Sequence, residues 1–272
     1  MNQNFARAFD IKFLGRDQKT QFACTTSWGV STRLIGAMIM THSDDEGLVV
    51  PPAVAPTVLA IMPIFKNPEE RKLVGDFATK VLASLVGEQE MAAAAKRHSS
   101  DDVRGYFFDR YTSQRIVLDD RDIRPGEKQY HWEQRGVPLR MEIGPRDVAA
   151  GSVLVKKRLD REKFTVPLAE ISAAWLQEKL SQIQTAMLEK ARAFRDNNTR
   201  DAASYDDLKK IIETNGGLVR AWFKPDRANE AKIKEQTKAT VRCIVQDDPA
   251  QSGKCIYTGE TVHTQVLFAQ AY

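Results

Sequence analysis

Val58-Leu59-Ala60-Ile61-Met62-Pro63-Ile64-Phe65 is a continuous apolar run, and Lys66-Asn67-Pro68-Glu69-Glu70 follows it directly. A short apolar run closed by a turn signal reads as a buried strand. Asn67 supplies a side-chain acceptor for the orphan amides of a helix start, and Pro68 fits the first helical position, where no amide donor is needed. Glu69 and Glu70 then oppose the positive end of the helix dipole. Leu73, Phe77, Val81, Leu82 and Leu85 continue this helix as one apolar face ending at Gly87. A second helix-prone, charged stretch runs to about residue 108, and strands at 115–118, 137–143 and 152–157 complete an alternating pattern. The expectation is an α/β domain over about 55–165.

On the N-terminal side, Leu48-Val49-Val50-Pro51-Pro52-Ala53-Val54-Ala55-Pro56 is proline-rich and extended, a connection between domains. Residues 5–50 hold only a few elements: Phe9, Ile11 and Phe13 alternate as in a strand, Phe22 follows a polar turn, and a helix is predicted over 31–42. These elements cannot close a core alone and read as the tail of a larger sheet. Within them, Thr25-Thr26-Ser27-Trp28-Gly29-Val30-Ser31-Thr32-Arg33-Leu34-Ile35-Gly36 sets one arginine in a frame of small residues between a strand and a helix. A guanidinium stays charged and presents a planar fork of donors, so this frame suits a phosphate ligand.

On the C-terminal side, Ile171, Trp175, Leu176, Leu180, Ile183, Met187, Ala191 and Phe194 mark a long amphipathic helix, read as a packed interface with a neighbouring domain. Ser204 and Asp207 open a short helix closed by Asn215-Gly216-Gly217, and strands at 218–223, 240–245, 254–257 and 264–269 form a small final domain.

Forty Lys and Arg against 36 Asp and Glu leave a net charge of +4, too small by itself to indicate a nucleic-acid partner. The surplus is local: residues 104–163 carry 14 basic against 10 acidic side chains. Cys24, Cys243 and Cys255 are too few and too scattered for a secreted disulfide framework, and the reading is a reducing, cytoplasmic setting. No run of about 18 apolar residues occurs, so no membrane partner is expected.

Several blocks, in order, resemble the prolyl-tRNA synthetases of the archaeal and eukaryotic-like type: Thr26-Ser27-Trp28-Gly29-Val30-Ser31-Thr32-Arg33, Pro51-Pro52, Arg121-Asp122-Ile123-Arg124-Pro125-Gly126, the run from Gly136 to Asp147, and Val266-Leu267-Phe268-Ala269-Gln270-Ala271-Tyr272. The resemblance implies three parts. Residues 1–54 would be the end of a class II catalytic domain, with its antiparallel sheet and third motif; 55–165 an anticodon-binding domain; and 166–272 the small α/β C-terminal domain. The family's chain is longer, and its first two class II motifs have no counterpart here. The implied function is the C-terminal part of a proline–tRNA ligase, inactive alone. The alternative is a free-standing, non-enzymatic tRNA-binding or regulatory protein derived from a synthetase.

By resemblance Arg33 binds the ATP phosphates during proline adenylation, Ser31 contacts ATP, and Trp28 and Gly29 wall the proline pocket, although an indole could equally be core. ATP with Mg is then a substrate, with proline and proline tRNA as partners and a homodimer left open. Arg140, Glu142, Arg146 and Asp147 are candidates for reading the two anticodon guanines, while a strand-edge ion pair explains Glu142 and Arg146 as well. Trp132 could stack on a base, and Lys156, Lys157, Arg158 and Lys163 meet phosphates or solvent. Asp119-Asp120-Arg121-Asp122 reads as a turn rather than a metal site. Tyr272 matches the family's terminal tyrosine, which reaches the active site; the other reading is an exposed chain end. Many relatives hold zinc on four cysteines, of which only Cys255 plausibly remains, so no zinc is expected, with packing around Phe223 and Tyr257 in its place.

Overall fold

A computed structural model describes residues 2–97 and 103–270. The N-terminal segment comprises helix α1 (Asn4–Ala8), the antiparallel pair β1 (Lys12–Leu14) and β2 (Thr20–Phe22), an irregular stretch, and helix α2 (Arg33–His42). Among the described residues before Val49, Ala6 is the single buried apolar side chain. Three-residue strands and a ten-residue helix expose more apolar surface than they can cover, as expected for elements that need a larger body to pack against. The predicted alternation at Phe9, Ile11 and Phe13 is only partly strand, since Phe9 ends α1.

Beyond the proline-rich link lies a six-stranded sheet. Its elements are β3 (Thr57–Pro63), α3 (Pro68–Arg97), β4 (Val103–Asp109), β5 (Gln114–Asp119), α4 (Pro125–Gln134), β6 (Leu139–Ile143), α5 (Pro145–Ala150), β7 (Ser152–Lys157) and β8 (Lys163–Pro167). The strand order is β4-β5-β3-β6-β7-β8. The centre, β5-β3-β6, is parallel and the outer pairings are antiparallel. β3 is buried on both faces, which is why its sequence runs apolar without alternation. Asn67 accepts the Glu70 amide at 2.8 Å, the anticipated cap. α3 breaks at Gly87 (φ +77°, ψ 164°), where the apolar face was expected to stop.

Three elements of this domain differ from expectation. Residues 103–109, read as the end of a charged helical stretch, are strand β4. Tyr106-Phe107-Phe108 favours a pleated, half-buried surface, and Tyr106 packs into the core. α4 was not foreseen because its sequence is polar and it buries only Lys128 and Trp132. β8 was not foreseen either: only Val166 of its five residues is buried.

Helix α6 (Ala173–Asn197) is capped by Ser172, whose hydroxyl accepts the Trp175 amide. Its stripe of Leu176, Leu180, Ile183 and Met187 joins the core under β3 and α3, the interface its periodicity required. The chain then forms β9 (Thr199–Asp201), α7 (Tyr205–Thr214), β10 (Leu218–Trp222), α8 (Arg227–Thr237), β11 (Ala239–Asp247), β12 (Gly253–Lys254), β13 (Thr261–Val262) and β14 (Thr264–Gln270). A four-stranded sheet of order β11-β14-β10-β9 packs α7 and α8 around Leu208, Ile212, Phe223, Ile233 and Phe268. The Ser204–Asp207 capping box is formed in both directions.

Candidate nucleotide and anticodon sites

Arg33 is the first residue of α2, on the exit from residues 23–32, which carry no regular structure. The strand half of the expected strand-to-helix frame therefore ends earlier, at Phe22. Its guanidinium has no hydrogen bond or ion pair among the described residues. Ser31 is exposed beside it, Trp28 is 97% exposed, and a Cβ placed on Gly29 would meet nothing within 4 Å. These four residues share one open stretch. Tyr272 lies outside the described residues.

A second arrangement sits where two parallel strands end together. At the C-terminal ends of β3 and β6, a crevice is lined by Phe65, Lys66, Glu70, Glu142, Arg146 and Asp147 among others. Loops leaving adjacent parallel strands splay apart at such ends, so this is where open sheets of this kind form ligand crevices. Glu142 is 7% exposed, with the Lys156 ammonium 2.6 Å from its Oε1. Lys156 is the one partner of this carboxylate among the described residues, and its two oxygens with about four lone-pair sites leave acceptor capacity to spare. Asp147 turns back to accept the Gly144 amide at 2.8 Å and so caps α5. Arg146 stands exposed at the mouth with no ion pair among the described residues. Three of the four candidate anticodon residues thus meet in one crevice.

Arg140 does not join them. Its Nη1 donates to the Gln129 carbonyl at 2.7 Å and to Glu133 at 3.2 Å, which ties it to α4. Phe65, Lys66 and Glu70 line the crevice although they were read as strand end and helix start. The Phe65 ring lies 5.2 Å from both the Arg71 guanidinium and the Lys128 ammonium. Position immediately after a central parallel strand was the sequence signal for them.

Several basic and aromatic residues are committed internally. Trp132 is buried and donates its indole N–H to Asp119 at 2.8 Å, so it offers no face to a base. Asp119 is fully buried and also holds Arg121 through both oxygens at 2.8 and 2.7 Å. Burial pushes its pKa up, but the hydrogen bonds from Arg121 and Trp132 outweigh that and hold the carboxyl below its usual range. Asp120 pairs with Arg71, so the acidic run is an ion-paired corner. Arg158 is 1% exposed and grips both oxygens of Asp44 and the Gly47 carbonyl, while Lys157 pairs with Glu162. Lys163 remains exposed.

In the C-terminal domain Cys255 is buried, its sulfur accepting the Lys224 and Thr258 amides at 3.5 Å. Phe223 packs edge-on to Phe268 and Tyr257 edge-on to Tyr205, each at 5.2 Å. Among the described residues no group of three His, Cys, Asp or Glu side chains is placed to hold a metal ion, and no helix is long and apolar enough to cross a membrane.

The six-stranded sheet belongs to an anticodon-binding domain: the family model described as "Anticodon binding domain" matches residues 61–179. The model described as "Prolyl-tRNA synthetase, C-terminal" matches residues 205–272. Over its whole length the chain is a homologue of the C-terminal portion of the proline–tRNA ligases. It is 44% identical to the proline–tRNA ligase of Chloroflexus aurantiacus, with 100% of this chain and 52% of the relative covered. With that of Cytophaga hutchinsonii it shares 40% identity, covering 100% and 50%. The solved prolyl-tRNA synthetase of Cryptosporidium parvum, complexed with L-proline and AMP, superposes with a TM-score of 0.76 at 30% identity and covers 100% of this chain and 53% of that one. The chain spans about half the length of the relatives it matches.

Proposed function

We propose that the chain is the C-terminal part of a proline–tRNA ligase: it binds proline tRNA through the anticodon guanines and supplies Arg33 to ATP-dependent prolyl adenylation. The observation that carries the tRNA reading is the crevice, where a buried carboxylate with acceptor capacity, an unpaired guanidinium and an aromatic ring converge. Guanine presents N–H donors on one edge and the O6 and N7 acceptors on another. Glu142 matches the donors, Arg146 the acceptors, and Phe65 the ring face of an unstacked loop base. Asp147 fixes the loop that carries Arg146.

For adenylation, a proline carboxylate oxygen attacks the α-phosphorus of ATP, pyrophosphate leaves, and a hydroxyl of the tRNA's terminal adenosine then takes the prolyl group as AMP departs. Arg33 would offset negative charge on the phosphates as it develops, with Ser31 beside the nucleotide and Trp28 and Gly29 at the proline. The ligands of the Cryptosporidium parvum structure, L-proline and AMP, support this pairing of substrates. Mg enters with ATP, and the setting is the cytoplasm.

The test is equilibrium binding of proline tRNA transcripts. Replacing the anticodon guanines weakens binding to the chain; equal affinity for guanine-free anticodons removes the recognition role. Pyrophosphate exchange with proline by this 272-residue chain is expected to be absent. Robust exchange would show that Arg33 and its neighbours need no further part of a longer enzyme.

A further inference from the structure

We propose that the β4 edge of the sheet, on the side of α4, is a second RNA-docking surface, centred on Arg115 with Arg97 and Arg110 around Phe107, that takes the sugar-phosphate backbone of the tRNA away from the anticodon. It rests on the reading that the chain binds tRNA. Phe107 of β4 lies opposite Arg115 of β5 in register. Alternation along β5 puts Arg115 on the side of Val117, which packs with Trp132 of α4. The three guanidinium carbons lie 5.1 Å (Arg97), 5.3 Å (Arg115) and 5.7 Å (Arg110) from the Phe107 ring centre.

One ring can attract several cations but cannot neutralise them, and like charges gathered on it repel. The carboxylates nearby are already used. Glu90, 5% exposed, takes Arg97 and Arg110 and also the Phe107 amide, which closes the free edge of β4. Asp109 is turned into the hairpin tip, accepting from the Tyr111 amide and the Thr112 hydroxyl at 2.8 Å. Arg115 is exposed and has no acceptor among the described residues. Tyr111 at the tip is 99% exposed. The basic face continues inward: Thr57, the β3 residue paired with Arg115, lines a shallow cleft with Arg135.

Arg115, a forked donor without an acceptor, fits a phosphate oxygen, Arg97 and Arg110 add charge that the single Glu90 carboxylate only half offsets, and the exposed Tyr111 fits a stacked base or sugar; together they favour RNA over an acidic peptide. Position separates this surface from the crevice. β5 is parallel to β3, so Arg115 at its start and the crevice at the end of β3 lie at opposite ends of the sheet. A six-residue strand spans about 20 Å, so one RNA reaching both must touch them with different segments.

The experiment is salt-dependent binding of fluorescent proline tRNA transcript to the full chain carrying Arg115→Glu, Arg115→Lys or, as an equal charge change on the exposed side of α8, Lys232→Glu. Arg115→Glu is expected to weaken binding about tenfold near 0.1 M salt and to lower the slope of log K against log salt by about one, with Arg115→Lys retaining most of both. The affinity ratio between guanine-containing and guanine-free anticodons stays as in the parent, because the crevice is untouched. Should Arg115→Glu unfold the chain, Arg115→Gln provides the same reading. Binding by Arg115→Glu within twofold of the parent, or equal weakening by Lys232→Glu, overturns the proposal. A guanine-free anticodon bound as well as the natural one by the parent chain refutes the crevice reading instead, and separately.

Discussion

Glu142 and Arg140 stand two residues apart on β6 and on the same side of the sheet, yet one opens into the crevice and the other is tied down by α4. Their substitutions should therefore separate. Glu142→Gln is expected to reduce the preference for anticodon guanines by about 1–3 kcal/mol, read as the affinity ratio between two transcripts, because an amide cannot replace a carboxylate facing N–H donors. Arg140→Gln should lower the unfolding free energy while leaving that ratio alone. Arg33 gives the opposite pattern: with no partner to lose, Arg33→Ala is expected to move stability by less than about 0.5 kcal/mol in a urea titration. A larger loss would mean that Arg33 supports the fold of its own segment. The candidate charges at 140–147 were legible as residue types on a strand and its exit. Which of them reach a ligand was not, because that depends on what α4 covers.

Elements were read well where one period or one cap dominates. β3, α3 and α6 announce themselves through unbroken apolarity, an Asn67 cap and a stripe from Leu176 to Met187. α4 is the contrasting case: it docks by buried polar contacts, with Lys128 Nζ donating to the Pro63 carbonyl at 2.9 Å and to that of Asp119 at 3.2 Å. Those carbonyls end β3 and β5, so the helix is held by strand ends rather than by an apolar face. Gly87 is the residue at which α3 changes direction, and its backbone lies in a region that side chains with a Cβ enter only under strain. Gly87→Ala is expected to cost about 1–3 kcal/mol in chemical denaturation even though open space surrounds the position. An unchanged midpoint would show that the break relaxes.

At the scale of the molecule, the N-terminal segment is fastened to the sheet by Arg158, which closes on Asp44 across 114 positions of sequence and also on the Gly47 carbonyl. Hydrogen bonding from Arg158 holds the Asp44 carboxyl down to about 2. A depressed carboxylate contributes stability that is complete above its unfolded value, near 4, and is lost as pH falls toward 2. Asp119, held below its usual range, acts in the same direction. Acidification from pH 5 to 2 should therefore release residues 43–50 to an acid-active protease. Asp44→Asn should show that release already at pH 5 and cost about 1–2 kcal/mol, since Arg158 loses its charged partner while Asp44 itself is 39% exposed and solvent screens part of the pair. Identical cleavage profiles for the two chains would exclude the clamp.

The amino-acid sequence alone determined the alternating α/β centre, the interface helix, the small final domain and the kinship with prolyl-tRNA synthetases, because apolar period, caps and linear motifs are local properties. Tertiary structure decided which charges remain free. Arg158, Trp132 and Arg140 were open to solvent or RNA as types, but each is enclosed by a partner distant in sequence, and a guanidinium or indole with a buried partner has little left for a ligand. Glu142, Arg146, Arg115 and Arg33 keep donors or acceptors unspent, and only the arrangement of neighbouring elements in space could distinguish them from the rest.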